Sequence, residues 1–446
     1  MKFSLAKLFN RQSSSARIIL AFFLTLILIG TFLLMLPFSS VTGEVDFIDA
    51  LFTSTSAVCV TGLIVQNTAS FWTPFGKAVI ILLIQIGGLG ILTSVLFMVA
   101  FLGHKDNSIM QRSILKDAIS APQIGGIYKL SGFILGTTFA VEAIGAVLMM
   151  PVFLPRYGEV GVLYSFFHSI SAFCNAGFDI LPDTQPFSSI VTFQSVPLIN
   201  IVLMLLIIIG GIGFLTWDDI AVHHFRFQKY RLQTKLVLVF TFFMILIPFL
   251  LFFFFEFAGM PLKERILVSL FQAVTPRTAG FATIDYKDMS ETGRFLTIML
   301  MLVGGSSGST AGGIKITTFA VAAIATVAVL RRREDATAFN RRIEKYIVLN
   351  AYALFAVYIT LFLFGSFFIS GYEGVPLVDA MFETASAIAT VGLTTGITPG
   401  LSSPSKVILI CFMYLGRVGG MTLAYAASSV NVIPLSKQAT EKVNVG

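Results

Sequence analysis

Charged residues are scarce in this chain of 446 residues, at 12% of the sequence, whereas hydrophobic residues reach 56%. Soluble globular domains average about 25% charged and roughly 45–50% apolar residues. The shortage of charge therefore excludes a soluble globular protein and indicates an integral membrane protein. The net charge of +7 does not indicate a nucleic-acid partner, because the basic residues cluster in short connections between apolar runs.

Cysteine and histidine are also rare, with three and four residues respectively. Cys59, Cys174 and Cys411 lie in apolar or glycine-containing surroundings, which favours buried thiols over disulfides. The histidines offer no set of three metal ligands, and the sequence shows no polar catalytic set. An enzyme, including an intramembrane protease, is therefore not supported, and we expect no organic cofactor on this chain.

Long apolar runs dominate what is present. Eight of them are long enough to cross a hydrocarbon core of about 30 Å. They cover residues 18–38, 75–101, 129–153, 195–222, 235–258, 294–329, 346–370 and 404–430. The first run is interpreted as a retained helix and not as a signal peptide, because no small-residue cleavage site follows it. Within each pair of runs, a weakly apolar stretch of about 12 residues is too short to span and predicts a re-entrant helix.

One glycine follows each of the four short stretches. These glycines are Gly62 in SAVCVTGL, Gly177 in SAFCNAGF, Gly280 in AVTPRTAGF and Gly392 in SAIATVGL. Repeats 1 and 4 align without gaps, but in repeat 3 Phe271 is nine residues ahead of its glycine, where the other repeats place an aromatic ten ahead. One structural unit has been used four times, and its third copy departs from the pattern.

These repeats predict an all-α membrane protein of four fused helix, pore-loop, helix units, with eight transmembrane helices and four re-entrant pore segments arranged with pseudo-fourfold symmetry around a central pore. The expected segments are a cytoplasmic N-terminus (1–17), repeat 1 (18–101), repeat 2 with a cytoplasmic linker (102–222), repeat 3 (223–330), repeat 4 with a cytoplasmic linker (331–430) and a cytoplasmic tail (431–446). Lys and Arg crowd the termini and the connections between repeats, so the positive-inside rule places these in the cytoplasm and the glycines outside. Acidic residues are concentrated on the outer side, which predicts a vestibule that attracts cations.

The residues next to the four glycines differ between repeats, so the backbone is what they can share. The candidate filter residues are Val60, Thr61 and Gly62; Asn175, Ala176 and Gly177; Thr278, Ala279 and Gly280; and Thr390, Val391 and Gly392. Carbonyl groups aimed at one axis require a residue with positive φ, which glycine adopts without steric cost. A short helix that ends near the bilayer centre adds partial negative charge there. Close helix packing would explain any one glycine alone, but four at matching positions favour a cation filter.

A second glycine-rich segment interrupts the sixth apolar run, and we call residues 304–315 the inner loop. Its candidate gating residues are Gly304, Gly305, Ser306, Ser307, Gly308, Ser309, Thr310, Ala311, Gly312, Gly313 and Lys315. Small and polar residues disfavour a continuous helix there, and non-helical backbone at membrane depth is tolerated where it lines a cavity. We therefore expect a mobile loop under the filter. A phosphate-binding loop is rejected, because Ile314 separates Gly313 from Lys315.

Arg417 is a charge in the middle of the last apolar run. A guanidinium there would set a barrier in a cation pathway and oppose leak. The alternative is structural pairing with carbonyl groups or with an acid such as Glu142. Lys315 is expected either to act with Arg417 or to snorkel to the cytoplasmic surface.

Taken together, the four glycine-bearing units, the glycine-rich and serine-rich loop in the third unit and the arginine in the last span resemble the Trk, Ktr and HKT superfamily of potassium transporters. The resemblance covers nearly the whole chain. With eight spans and a short tail ending in Val445 and Gly446, the chain is most similar to the membrane subunit of a bacterial Ktr system.

This resemblance implies potassium (K⁺) uptake across a bacterial plasma membrane, often dependent on Na⁺, through a pore in each monomer of a homodimer. It also implies a cytosolic partner, an octameric ring of RCK-type nucleotide-binding subunits that responds to ATP and ADP. Carried onto this sequence, the four glycines line the filter, the inner loop is the gate, and Arg417 opposes ion passage. The alternative is an ion-coupled, alternating-access carrier for another solute, which four same-direction pairs disfavour because such carriers often use inverted repeats.

Overall fold

A computed structural model describes residues 15–90, 127–182 and 187–419. This part of the chain is mostly helical, as expected. Its strands are Thr337–Ala338 and Arg341–Arg342, which form a small antiparallel hairpin in the connection between repeats 3 and 4. The predicted tail at 431–446, most of the 102–129 connection, most of the N-terminus, and the ends of the runs at 75–101 and 404–430 lie outside the described residues.

Each repeat supplies a long first helix, a short helix and a second helix. The first helices are Ser15–Leu34, Ile127–Tyr157, Leu232–Leu251 and Lys345–Glu373. The short helices are Phe47–Val58, Val160–Phe173, Leu262–Val274 and Leu377–Ile388. The second helices are Pro74–Leu89, Pro197–Gly211 with Phe214–His223, Glu291–Met301 with Ile316–Leu330, and Ser403–Val418. Smaller elements are Thr68–Phe71, the 3-10 turns Val191–Phe193, Phe227–Lys229 and Thr398–Gly400, and a π-helical turn at Phe252–Glu256.

Four helices of the described chain are long and apolar enough to cross a membrane, and a fifth is added if one bent pair counts as a single span. These helices make the chain a multi-pass membrane protein. The second helices are shorter, bent or interrupted, or run towards residues outside the described ranges. Eight full crossings therefore stay a prediction.

The run at 195–222 is not the straight crossing that we expected. Pro197–Gly211 and Phe214–His223 meet at an angle of 93°. Gly213 lies at the bend with a φ of +93°, which glycine adopts readily. The freed backbone groups bind the inner loop: Ser306 N donates to Gly211 O and Phe214 N donates to Gly308 O, both at 2.8 Å. Contacts with the inner loop, a segment distant in the sequence, therefore accompany the bend. The apolar composition of the run itself could not predict them.

The run at 294–329 is interrupted as predicted. One helix ends at Met301 and the next begins at Ile316, with the inner loop between them. The expectation that no continuous helix passes through this segment is confirmed.

Glycines in three second helices let the backbone of the short helices approach closely. A Cβ atom built on Gly87 would lie 2.0 Å from Val58 O, and one on Gly210 would lie 2.0 Å from Phe173 O. Gly416 stands in the same relation to Ile388 O, at 2.1 Å. In each case the carbonyl belongs to the last residue of the short helix of the same repeat. Any larger residue would push the short helix away.

The repeats contact one another in a closed circle. Each second helix packs against the short helix of the next repeat, and the last one, Ser403–Val418, packs against the first short helix, Phe47–Val58. Ion pairs fasten two of these contacts, Lys406 Nζ to Asp49 Oδ1 at 2.9 Å and Arg294 Nη1 to Asp379 Oδ1 at 2.8 Å. This arrangement brings the segments after the four short helices to one place.

Candidate functional site

The four glycines singled out in the sequence lie together, and we call Gly62, Gly177, Gly280 and Gly392 the glycine ring. A Cβ atom built on each one would meet the carbonyl oxygen of the residue before the next glycine. The distances are 2.3 Å from Gly62 to Ala176 O, 2.7 Å from Gly177 to Ala279 O, 2.5 Å from Gly280 to Val391 O, and 2.2 Å from Gly392 to Thr61 O. The order runs from repeat 1 to 2, 3, 4 and back to 1. Four backbone segments therefore close a constriction that has no room for side chains at the glycines.

Each segment contains a second left-handed residue that the sequence did not predict. The glycines have φ values of +90°, +68°, +79° and +96° in chain order. Two positions earlier, Val60, Asn175, Thr278 and Thr390 have φ values of +56°, +58°, +69° and +51°. Positive φ at a β-branched residue is strained, at about 1–3 kcal/mol each. The residue between them does not have a positive φ, so the handedness of the backbone alternates along each segment.

Four polar side chains of the segments before the glycines are buried with an atom that lacks a hydrogen-bond partner among the described residues. These atoms are Thr61 Oγ1, Asn175 Oδ1, Thr278 Oγ1 and Thr390 Oγ1. The last three belong to the left-handed residue two positions before a ring glycine, and Thr61 directly precedes Gly62. Unpaired buried oxygens are costly unless water or an ion meets them, so this level of the site offers oxygen ligands in addition to the backbone carbonyls.

Repeats 1 and 4 support their glycines with a serine in the same way. Thr61 N and Val391 N each donate to the carbonyl of a serine five residues earlier, Ser56 O and Ser386 O, at 2.8 Å. The hydroxyl of the same serine accepts from the glycine, 3.1 Å from Gly62 N and 3.0 Å from Gly392 N. One serine thus closes the turn and fixes the glycine.

Repeats 2 and 3 use the corresponding hydroxyl as a donor. Ser171 Oγ donates to Phe178 O at 2.8 Å, and Thr275 Oγ1 donates to Phe281 O at 2.6 Å. In repeat 3 Ala279 N bonds to Thr275 O, four residues earlier, where the other repeats reach back five. The one-residue-shorter turn accounts for the shifted Phe271, and Gly280 still reaches its place in the ring.

A cavity of about 50 Å³ lies on the side of the ring where the chain continues after the glycines, which we call the side above the ring. It is lined by all four glycines, Asp179 and Asp285. Burial raises the pKa of Asp179 to about 6, while a hydrogen bond from the backbone of Leu181 opposes the shift. The count of acidic residues in the sequence overstates the free negative charge on this side, because Asp49 and Asp379 are held in ion pairs.

The inner loop packs directly beneath the ring. A Cβ atom built on Gly304 would lie 3.1 Å from Thr278 Cγ2, and one on Gly313 would lie 3.1 Å from Ala389 Cβ. Gly312 is closer still, since a Cβ atom there would overlap Thr390 Oγ1. The loop therefore blocks the space under the candidate filter in this conformation.

Hydrogen bonds tie the loop to repeat 2. Thr310 is central among them: its N donates to Gly210 O at 3.4 Å and its Oγ1 to Phe173 O at 3.1 Å, and it accepts from Asn175 Nδ2 at 3.2 Å. These bonds are few and mostly end on backbone carbonyls, so a rearranged loop can replace them with water.

Arg417 joins the inner loop to repeat 1. Its guanidinium donates to Thr310 O, to Gly87 O at 2.5 Å and to Gly88 O at 3.0 Å. Glu142, the acid considered as its partner, instead accepts from Gln85 Nε2 at 3.1 Å. The arginine is thus held by carbonyl groups, one of which belongs to the inner loop.

Lys315 does not extend towards the cytoplasmic surface. Its Nζ turns back to Ala311 O at 2.5 Å, within the inner loop. The amine therefore helps to fix the conformation of the loop in which it lies.

Several residues have roles that sequence reasoning missed. Glu383, one of the acidic residues that the sequence places on the outer side, is fully buried and hydrogen-bonded to the segment after Gly392. Arg277, a basic residue on the same side by sequence, is buried and donates to Thr241 Oγ1 at 3.3 Å. Of the cysteines expected to be buried, Cys411 is exposed. The signal for Glu383 was available: it directly follows the aromatic of its short helix, as Gln272 does in repeat 3.

Apolar helices around a backbone-lined constriction, to which four successive repeats contribute, are typical of membrane proteins that pass small ions. Residues 2–432 match the family model described as TrkH, cation transport protein. The chain belongs to this family. Its relatives are ion transporters and not enzymes.

Curated relatives match over nearly their full length. The chain is 41% identical to potassium/sodium uptake protein NtpJ of Enterococcus hirae over 428 residues, which cover 94% of this chain and 93% of that one. It is 39% identical over 414 residues to Ktr system potassium uptake protein B of Bacillus subtilis, with 91% of each chain covered. Among solved structures, the potassium transporter TrkH from Vibrio parahaemolyticus aligns with a TM-score of 0.74 at 19% identity, covering 94% of this chain and 86% of that one, which shows a shared fold.

Proposed function

We propose that the chain takes up K⁺ across a bacterial plasma membrane through the glycine ring, as a channel-like transporter subunit. The observation that carries this is the closed order of four glycines, each facing the carbonyl before the next. Backbone oxygens in a ring replace the water around a cation, and the four glycines present no side chain to the passage. The names of the relatives, potassium/sodium uptake protein and Ktr system potassium uptake protein B, agree with this cargo.

The electrostatics favour a cation over an anion. Four short helices end just before the ring, and the C-terminal end of a helix carries partial negative charge. Asp179 and Asp285 line the cavity above it. We therefore assign the segments 60–62, 175–177, 278–280 and 390–392 as the selectivity filter, with K⁺ bound by their carbonyl groups.

The inner loop and Arg417 form the gate in this proposal. The loop fills the space beneath Thr278 and Thr390, and Arg417 binds Thr310 O within it. Opening requires the loop to leave the ring and the arginine to release that carbonyl.

The gate is tested by shortening the inner loop. Deletion of residues 306–309 is expected to increase K⁺ flux, because it removes the hydrogen bonds of Ser306 and Gly308 to repeat 2 that help to hold the loop beneath the filter. A deletion of the same length in the exposed hairpin connection at 337–342 is the control. Equal flux in both variants and the wild type contradicts gating by this loop.

The assembly and its control follow the Ktr naming of the relatives. We propose a homodimer with one pore in each subunit, both termini in the cytoplasm, uptake that depends on Na⁺, and regulation by a cytosolic ring of RCK-type nucleotide-binding subunits. Among the described residues, the basic connections at 223–235 and 331–345 are surfaces available to such a partner on that side.

The direct test is uptake of radioactive rubidium into liposomes that contain the purified chain, with and without Na⁺. We expect uptake driven by an inside-negative potential, competed by K⁺ and far less by Na⁺. An ion-coupled carrier for another solute, which no contact in the described residues favours, predicts no rubidium uptake without that solute. Absence of rubidium uptake under all conditions contradicts the proposal.

A further inference from the structure

A buried polar side chain follows the aromatic residue in each short helix. The four residues are Thr53, His168, Gln272 and Glu383, and all are at most 2% exposed. Glu383 is the acid among them. A carboxylate buried inside a membrane protein requires compensating contacts, and the position of those contacts indicates what the residue does.

Glu383 binds the segment that follows Gly392. Its Oε1 accepts from Thr394 Oγ1 at 2.5 Å and from Thr395 N at 3.0 Å, and its Oε2 accepts from Thr398 Oγ1 at 2.5 Å. Every contact is a donor, which suits an ionised carboxylate, a group that only accepts. The first of these donors lies two residues beyond the ring glycine.

Repeat 3 makes a neutral version of the same contact. Gln272 Nε2 donates to Thr283 Oγ1 at 3.3 Å, and the hydroxyl of Tyr286 donates to Gln272 Oε1. Thr283 and Thr395 are each three residues after their glycine. In repeat 2, His168 Nδ1 instead lies 2.7 Å from Tyr164 O in its own helix. The hydrogen bonds made by this buried polar residue therefore differ from repeat to repeat. They are most numerous in repeat 4, where the residue is a carboxylate.

We infer that Glu383 is a positioning residue for ion selectivity: it holds residues 393–398 from behind, and thereby keeps the carbonyls of Val391 and Gly392 from moving inward around a cation smaller than K⁺. This inference rests on the proposed filter. A strand fixed to a rigid helix by hydrogen bonds from Thr394, Thr395 and Thr398 resists such a shift, whereas a strand without them follows the smaller ion. When it is ionised, Glu383 also adds attraction for a cation at the ring, because the surroundings screen the charge poorly.

The test uses full-length protein in liposomes and measures rubidium uptake against increasing Na⁺. Glu383→Ala removes all of these contacts, and we expect discrimination between rubidium and Na⁺ to fall by roughly tenfold or more, since the loss of even one hydrogen bond to a charged group corresponds to about a factor of ten. Glu383→Gln can keep the contacts to Thr394 and Thr395 and donate to Thr398. It should therefore retain discrimination but require more rubidium for half-maximal uptake.

Glu373 provides the matched control. It lies in the same repeat, and its Oε1 accepts from Ser402 N at 3.1 Å and from Ser402 Oγ at 2.5 Å, joining two helices away from the ring. Glu373→Ala removes a comparable carboxylate cluster, so we expect unchanged discrimination. A loss equal to that of Glu383→Ala overturns the inference, because it shows a general effect of destabilisation.

The remaining outcomes are also decisive. Wild-type discrimination in a folded Glu383→Ala protein overturns the inference while the filter proposal stands. If wild type itself takes up no rubidium, the filter proposal fails instead. If Glu383→Ala does not fold, Thr398→Val removes one donor, and it should reduce discrimination in the same direction by a smaller factor; an unchanged ratio there overturns the inference.

Discussion

Repeats 1 and 4 support the glycine ring with one pattern of hydrogen bonds, and repeats 2 and 3 support it with another. In the first pair a serine hydroxyl accepts from the N–H of the ring glycine. In the second pair the corresponding hydroxyl donates to the carbonyl just beyond the glycine. The glycines nevertheless occupy equivalent positions. A fourfold backbone shape therefore does not require fourfold chemistry behind it.

The outer contacts between repeats divide in a similar way. The fourth residue of each second helix is Lys77, Asn200, Arg294 or Lys406 in repeats 1 to 4. Arg294 and Lys406 pair with an aspartate of the next repeat. Lys77 donates to Ala69 O at 2.6 Å and Asn200 to Phe193 O at 2.8 Å, both within their own repeats. Repeat 4 is thus fastened by ion pairs on both sides.

The largest expected effect comes from the glycine ring itself. Gly392→Ser places a Cβ 2.2 Å from Thr61 O at a φ of +96°, so the backbone must shift. We expect discrimination of rubidium over Na⁺ to fall by about tenfold or more. Gly177→Ser, with 2.7 Å to Ala279 O, should be the milder ring variant.

Rubidium uptake with Na⁺ competition measures both variants. Gly371, around which a Cβ would meet nothing within 4 Å, supplies the control Gly371→Ser. Unchanged discrimination in both ring variants contradicts the filter assignment.

The next prediction distinguishes repeats 1 and 4 from repeats 2 and 3. Ser386→Ala leaves the N–H of Gly392 without its acceptor, at roughly 1–3 kcal/mol. Ser171→Ala leaves a carbonyl without one donor, which proteins tolerate better than an orphaned N–H. We therefore expect Ser386→Ala to lower the thermal stability of the protein in detergent more than Ser171→Ala does. We expect the same order for the loss of ion discrimination. Equal effects would remove the distinction between the pairs of repeats.

The ion pairs have a smaller effect, on stability. Lys406→Met leaves Asp49 with Gln66 Nε2 as its remaining side-chain donor, and the side chains of this pair are 14% and 13% exposed. We expect a loss of about 1–3 kcal/mol in the free energy of unfolding, between exposed and buried pairs. Lys77→Met, which breaks no ion pair, is the matched control. Denaturation in detergent measures the stability of both variants. Equal losses in the free energy of unfolding would argue against a special stabilising role for the ion pairs of repeat 4.

The smallest effect concerns Asp179, whose counterparts two residues after the other glycines are Ile64, Ala282 and Thr394. Because the pKa of Asp179 is raised to about 6, its carboxylate is ionised above that pH and neutral below it. Rubidium uptake at low concentration should therefore decrease by less than about twofold from pH 7.5 to 5. Asp179→Asn should remove this decrease, and an unaltered pH profile in the variant would exclude Asp179 as its source.

The sequence predicted those features that depend on local composition. The four glycines and the break in the helix at the inner loop followed from residues that sit next to one another. The second left-handed residue, such as Val60, could not be predicted, because nothing in the intrinsic preference of valine favours positive φ. The bend at Gly213 and the burial of Glu383 depend on contacts between segments far apart in the chain.

The shift in repeat 3 shows the same limit. The missing residue before Gly280 was visible in the sequence, but its consequence was not. The turn after the short helix absorbs it by reaching back four residues to Thr275 in place of five. Spacing in a sequence thus predicts that a repeat differs, whereas hydrogen bonds decide where the difference is accommodated.

The central claim is that the carbonyls around the glycine ring bind the transported cation. Anomalous X-ray diffraction from crystals of the protein grown in rubidium measures this most directly. We predict an anomalous peak on the axis of the ring, within coordinating distance of carbonyl oxygens from all four repeats, and loss of that peak when Na⁺ replaces rubidium. Ordered density for the four segments with no anomalous peak between them would contradict the account.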